Sequence, residues 1–239
     1  MKKQLKYILC LSICGLFAGS CKRSLLDPVP QTSITDATSF ATPDRILNQV
    51  RSIYQALKNG NYYGGRYVVY GDIRADDFLN ETSNNVTGYD VYNLNPTNSS
   101  QNTVKNLWSQ AYFTINLANL FIDGMAEKGT AVVGQTLSNN YLGEARFIRA
   151  LSFYSLLQYY ARPYADGNGS KPGLPLRLTG IKGPGFSDLA RSTVGEVYTQ
   201  IFADLHCAEA NLPLTNGSAL LNTTPAHRNT PIALKTKIL

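Results

Sequence analysis

"YLGEARFIRALSFYSLLQYY" runs from Tyr141 to Tyr160, and its pattern decides how the rest of the chain is to be read. Apolar residues fall on nearly every side of the helical wheel instead of on one stripe, and such a helix has to be surrounded by neighbours. Glu144, Arg146 and Arg149 are the only charges in it. A charge on a buried face is tolerated when it is paired and hydrogen-bonded, so partners are expected on a neighbouring helix, with Asp204 the obvious one. The stretch implies a mostly α fold in which other helices pack around a central one at about 138–160.

Three further helices are predicted around it. The first starts after Thr42, because a threonine N-cap, Pro43 in the first position and Asp44 in the first turn are all start signals. Ile46, Leu47, Val50, Ile53, Tyr54 and Leu57 then recur at helical spacing until "KNGN", where Gly60 suits a left-handed turn. A second candidate covers roughly 103–123. A third covers 194–211, opened by a capping box in which Thr193 and Glu196 exchange hydrogen bonds. Another helix begins near Pro231. Helix starts near 103 and 138, and near 194 and 231, lie about 35 and about 37 residues apart, close to the period of about 34 of helix-pair repeats. Stacked TPR-like helix pairs follow from the spacing, although of the repeat consensus only Trp108 followed by Tyr112 is visible. Residues 163–192 carry four prolines and six glycines and read as a long irregular connection. The final "TPIALKTKIL" starts a helix with no polar tail after it, which is the expectation for the front part of a longer protein.

The beginning of the chain has a different purpose. Lys2, Lys3 and Lys6 precede "YILCLSICGLF" (Tyr7 to Phe17), an apolar run of 11 residues. A bilayer-spanning helix needs about 20, whereas an export-signal core needs about 7 to 15. Ala18, Gly19 and Ser20 then lead directly to Cys21, which resembles a bacterial lipoprotein signal; that resemblance implies lipidation of Cys21 and chain-anchored attachment to a membrane. Residues 1–20 are thus read as a lipoprotein signal peptide, 21–41 as an extended tether and 42–239 as a helical domain, truncated at its C-terminus. With Cys10 and Cys14 in the leader and Cys21 lipidated, only Cys207 remains, so packing instead of disulfides must hold the domain. Cys207 reads as a small buried apolar group.

The net charge of +6 includes the three leader lysines, leaving +3 for the remainder. The basic residues are scattered and form no polyanion patch, so no nucleic-acid partner is expected. Asp72, Asp76, Asp77 and Glu81 lack the ordered spacing of a calcium loop, and no metal is expected. "GPGFSD" and "GNGSK" match neither glycine-rich phosphate pattern, and no cofactor is expected. His206 falls in a predicted helix, His227 in a loop, and there is no G-x-S-x-G elbow or H-E-x-x-H; the reading is a non-enzyme. Asn116, Asn119 and Trp108 are assigned to helix packing and the core.

Several stretches together resemble the SusD/RagB family of nutrient-binding outer-membrane lipoproteins: the lipoprotein leader, "ILNQVRSIYQAL" (46–57), "LWSQAYFTINLANLFID" (107–123), "GEARFIRALSFYSLLQYYA" (143–161), "GLPLRL" (173–178) and "ARSTVGEVYTQIFADLHCAEANLP" (190–213). Only the N-terminal portion of the family pattern is covered. The resemblance implies helix-pair repeats supporting a loop-rich binding face, laid as a lid over a SusC-like TonB-dependent barrel transporter. Such proteins capture glycans, or in some branches peptides, and hand them on without catalysis. It also implies an outer-membrane, surface-exposed location, although Lys22 and Arg23 stand where acidic residues are common. A lipoprotein scaffold that binds another envelope protein and no nutrient is the alternative.

The segment 61–102, dense in Tyr, Asn, Asp and Gly, loses helical periodicity and is read as loop. Sugars offer hydroxyl edges to Asn and Asp and C–H faces to aromatic rings, so Tyr63, Asp77, Tyr89, Tyr92 and Asn93 are the ligand-binding candidates.

Overall fold

A computed structural model describes residues 38–75, 81, 88–93, 102–183 and 185–239. The leader, Cys21, Asp76 and Asp77 lie outside these residues. One packed unit, Ser39–Leu239, contains everything discussed below.

The described residues form helices α1 (Pro43–Leu57), α2 (Arg66–Arg74), α3 (Tyr89–Tyr92), α4 (Asn102–Gly124), α5 (Thr130–Val133), α6 (Gln135–Tyr160), α7 (Val194–Asn211), α8 (Ala219–Thr223) and α9 (Asn229–Ile238). The start signals work as read. Thr42 caps α1 by accepting the Arg45 N–H, with Pro43 at the first position. At α7, Glu196 accepts the Thr193 N–H at 2.7 Å while Thr193 Oγ1 accepts the Glu196 N–H at 3.2 Å.

The helix that decides the fold is α6. From Gly143 to Leu157 every residue except Arg146 and Leu151 is buried, because α4, α7 and α1 all pack against this helix. Helices α4, α6, α7 and α9 pack in succession, the nearest-neighbour arrangement of helix-pair repeats. Small residues let α6 and α7 approach closely: a Cβ on Gly143 would sit 2.9 Å from Leu212 Cγ. Among the described residues no helix is long and apolar enough to cross a membrane, and the only β-feature is one bridge, between Pro172 and Thr193.

The ionic centre of the fold joins three helices. Arg149, 4% exposed, grips the fully buried Asp204 of α7 with both arms, Nε–Oδ2 at 2.7 Å and Nη2–Oδ1 at 2.6 Å. Its third nitrogen donates to Asn119 Oδ1 of α4 at 2.8 Å, and Arg146 reaches Asp204 from the rim at 3.3 Å. Glu144 departs from the expectation of a charged partner. It accepts a 2.7 Å hydrogen bond from Tyr54 of α1, whose oxygen in turn accepts the Ala226 N–H. Burial pushes the Glu144 carboxyl up to about 7, with the Tyr54 hydrogen bond pulling the other way.

Four other readings need correction. Residues 61–102 are not all loop, since they contain α2 and α3; α2 turns only Tyr70 and Ile73 fully inward, too short a stripe to register as a period, and Gly65 and Gly71 read as breakers. Asn116 and Asn119 do not join helix to helix alone. With Asp123 they form a row along α4 that holds the backbone of the long connection: Asn116 with Ile181, Asn119 with Arg177, and Asp123 with Gly180. Trp108 is half-buried at the edge of the core, against Tyr112 and Tyr160 with the Arg191 guanidinium over its ring. Cys207 is half-buried and accepts from Asn211 at 3.3 Å. At the front of the packed unit, the Phe40 ring meets Phe121.

Candidate functional site

Where α1 ends, the chain turns tightly through residues 58–65 and enters α2, which brings Tyr62, Tyr63 and Tyr67 onto the C-terminal half of α6. The rings form a continuous series: Tyr62 to Tyr63 at 4.9 Å, Tyr63 to Tyr67 at 4.4 Å and Tyr67 to Tyr159 at 5.4 Å between centroids. Aromatic pairs at these separations hold one another in fixed orientations. Hydroxyls fix the series further. Tyr63 bonds Ser155 at 2.8 Å, Tyr67 donates to Gln158 Oε1 and Tyr159 donates to the Tyr67 carbonyl at 2.6 Å.

The outer end of this series borders an open dish of about 570 Å³. Tyr67 and Tyr159 supply its aromatic wall; Asp72 and Arg74 come from α2, Gln158 from α6 and Lys237 from α9. It therefore offers an acceptor, two cationic donors and an amide that does both, beside aromatic edges. Burial raises the Tyr159 hydroxyl to about 12, so it remains a neutral donor across the physiological range.

The candidates from sequence are only partly brought together. Tyr63 belongs to the aromatic series, but its hydroxyl is committed to Ser155 and burial holds that hydroxyl far above its ordinary value; it props Tyr67 instead of facing outward. Tyr89 and Tyr92 are half-buried in α3, which packs on α2. Asn93 is exposed and donates one amide proton to the Tyr89 carbonyl, closing its own helix. Asp77 lies outside the described residues. Tyr67, Arg74, Gln158, Tyr159 and Lys237 went unselected. Gln158 carried a signal, as the one amide interrupting the apolar end of α6, whereas Lys237 sits in the last turn of α9.

Other concavities among the described residues include two of comparable size. One, of about 540 Å³, lies between α1, α6 and residues 216–225 and contains Tyr54, Glu144, Arg51 and Lys58. Another, of about 460 Å³, is framed by Trp108, Phe113 and the connection at Pro175–Ile181. Among the described residues no group of His, Cys, Asp or Glu is arranged to hold a metal ion.

A family model described as SusD-like, starch-binding associating with outer membrane, matches residues 26–230. Among solved structures, a SusD superfamily protein from Bacteroides fragilis is 32% identical over 83% of this chain and 46% of its own, with a TM-score of 0.75. A SusD superfamily protein from Bacteroides thetaiotaomicron is 24% identical over 82% of this chain and 42% of its own, with a TM-score of 0.69. One from Bacteroides vulgatus is 23% identical, with the same coverages and a TM-score of 0.67; these last two speak to the fold alone. The chain spans less than half the length of each of these three structures. No curated protein matches it.

Proposed function

The chain belongs to the SusD-like family, and on that premise we propose that it is a lipid-anchored outer-membrane protein that captures glycans, as oligo- or polysaccharide, and passes them to a SusC-like TonB-dependent transporter. The observation that carries this reading is the dish. Its Tyr67 and Tyr159 rings, Asp72 acceptor, Arg74 and Lys237 donors and Gln158 amide supply together what a sugar presents, C–H faces and hydroxyls that both donate and accept. Residues 1–20 act as the export signal, Cys21 carries the lipid, and the residues after it tether the helical unit to the membrane. The role proposed is binding without catalysis.

The test is glycan binding by the full chain, comparing wild type with Arg74→Ala and Asp72→Ala. Loss of a charged hydrogen bond removes roughly 1.5–3 kcal/mol, so affinity falls by tenfold or more in each variant. Glycan binding at wild-type strength in both would place the site elsewhere. Cys21→Ser releases the protein from the membrane fraction, and a barrel protein co-purifies with the anchored form; retention of Cys21→Ser in the membrane would remove the anchor from this reading.

A further inference from the structure

The cavity between α1, α6 and residues 216–225, of about 540 Å³, has the size of a small-molecule site and shares no lining residue with the dish. Leu47, Val50, Arg51, Tyr54, Gln55 and Lys58 recur along one face of α1 and its end and form one wall. Glu144 lines it from α6 and is only 8% exposed. Among the described residues it takes a single hydrogen bond, from Tyr54 at 2.7 Å, and pairs with no cation. Its second oxygen is not one of the sealed, unpartnered polar atoms of the fold, so it opens on the cavity. Buried charges are normally paired, and a carboxylate placed in this way is completed by a cationic donor. Left without one, it holds its proton up to about 7.

Two cations stand at the rim. Arg51 and Lys58 are exposed and lie about one turn of helix, roughly 5 Å of rise, to either side of Tyr54. Arg51 gives one nitrogen to Asn48 at 3.2 Å, which leaves the rest of its fork for the cavity. The charges of Glu144 and Arg51 both act on the Tyr141 ring: burial and then Glu144 raise its hydroxyl, and Arg51 lowers it. Leu47, Val50 and Pro225 add an apolar surface. A simple anion would meet Glu144, and a simple cation would meet Arg51 and Lys58. A molecule with both charges a few ångströms apart and an apolar arm suits all three surfaces.

We propose that this cavity binds a zwitterionic apolar α-amino acid, its ammonium on Glu144, its carboxylate on Arg51 and Lys58, and its side chain on Leu47, Val50 and Pro225. As the ammonium arrives, Glu144 releases its proton to solvent, so ligand and proton compete for one carboxylate. The inference goes beyond glycan capture and does not depend on it.

Calorimetry of the full chain with L-leucine, N-acetyl-L-leucine and L-leucinamide tests the contacts in turn, since the second ligand lacks the ammonium and the third the carboxylate. Wild type binds leucine at pH 7.5 and each blocked ligand about tenfold or more weaker, the loss expected for a charged hydrogen bond. Glu144→Gln preserves the shape of the side chain, and circular dichroism checks that its helices persist; leucine binds it about tenfold or more weaker. Between pH 7.5 and 5.5 the leucine affinity of wild type falls roughly twentyfold as Glu144 takes up its proton, while that of Glu144→Gln stays flat. No leucine binding by wild type at millimolar concentration, or N-acetyl-leucine bound as tightly as leucine, overturns the proposal. So does unchanged leucine affinity in Glu144→Gln, which would leave a protonated carboxyl facing water. Glycan binding in the dish uses none of these residues and is untouched by any of these outcomes.

Discussion

Asp204→Leu would leave Arg149 buried with its strongest partner gone. In the native protein Asp204 accepts from Arg149 at 2.7 and 2.6 Å and from Arg146 at 3.3 Å, at zero exposure. Removing one partner of a buried ion pair costs about 3–5 kcal/mol, because the other charge stays desolvated. Arg146, with about a third of its side chain exposed, can turn to water, whereas Arg149 cannot. With a urea slope of about 2 kcal/mol per molar, a 4 kcal/mol loss lowers the unfolding midpoint by about 2 M. Arg149→Met leaves Asp204 with Arg146 alone, at 3.3 Å, and falls by a smaller amount. The double variant, Arg149→Met with Asp204→Leu, recovers most of it, since apolar replacement of a whole buried pair is often neutral. The residual deficit is the Asn119 oxygen that loses its donor, about 1 kcal/mol. Urea unfolding of the three variants followed by helical circular dichroism measures the cycle. If Asp204→Leu stays within about 1 kcal/mol of wild type, or the double variant is no more stable than either single one, the charge-stranding argument is wrong.

Glu144→Gln tests burial of the second acidic group. The folded carboxyl binds its proton up to about 7 against a usual value of 4.5, so the folded state holds more protons than the unfolded one between those values. Its stability contribution is present below about 4.5 and is lost as pH rises through 7. Relative to Glu144→Gln, wild type should therefore lose about 3 kcal/mol over that window, and a difference that does not vary between pH 4 and 8 in parallel urea titrations would refute the assignment. Gly143→Val tests the close approach of α6 and α7. Its branched side chain meets Leu212, which is itself only 1% exposed, and overpacking of this kind costs about 1–3 kcal/mol; a thermal midpoint at or above wild type would show that the helices separate freely.

Local chemistry carried the skeleton of this protein. The caps at Thr42 and Thr193 depend on residues a few positions away, and the all-round apolar character of Tyr141–Tyr160 forces neighbours onto every side, so the helices and their stacking were legible, as was the Arg149–Asp204 pairing. The binding face was not. Tyr67, Arg74, Gln158, Tyr159 and Lys237 are drawn from three helices, and no periodicity relates them. Tyr63 looks as ligand-like as Tyr67 in sequence, and only the position of Ser155 across the α6 surface turns its hydroxyl inward. Pairing within a helix is set by spacing along the chain, whereas convergence of side chains on a dish exists only once long-range packing has brought α2, α6 and α9 together.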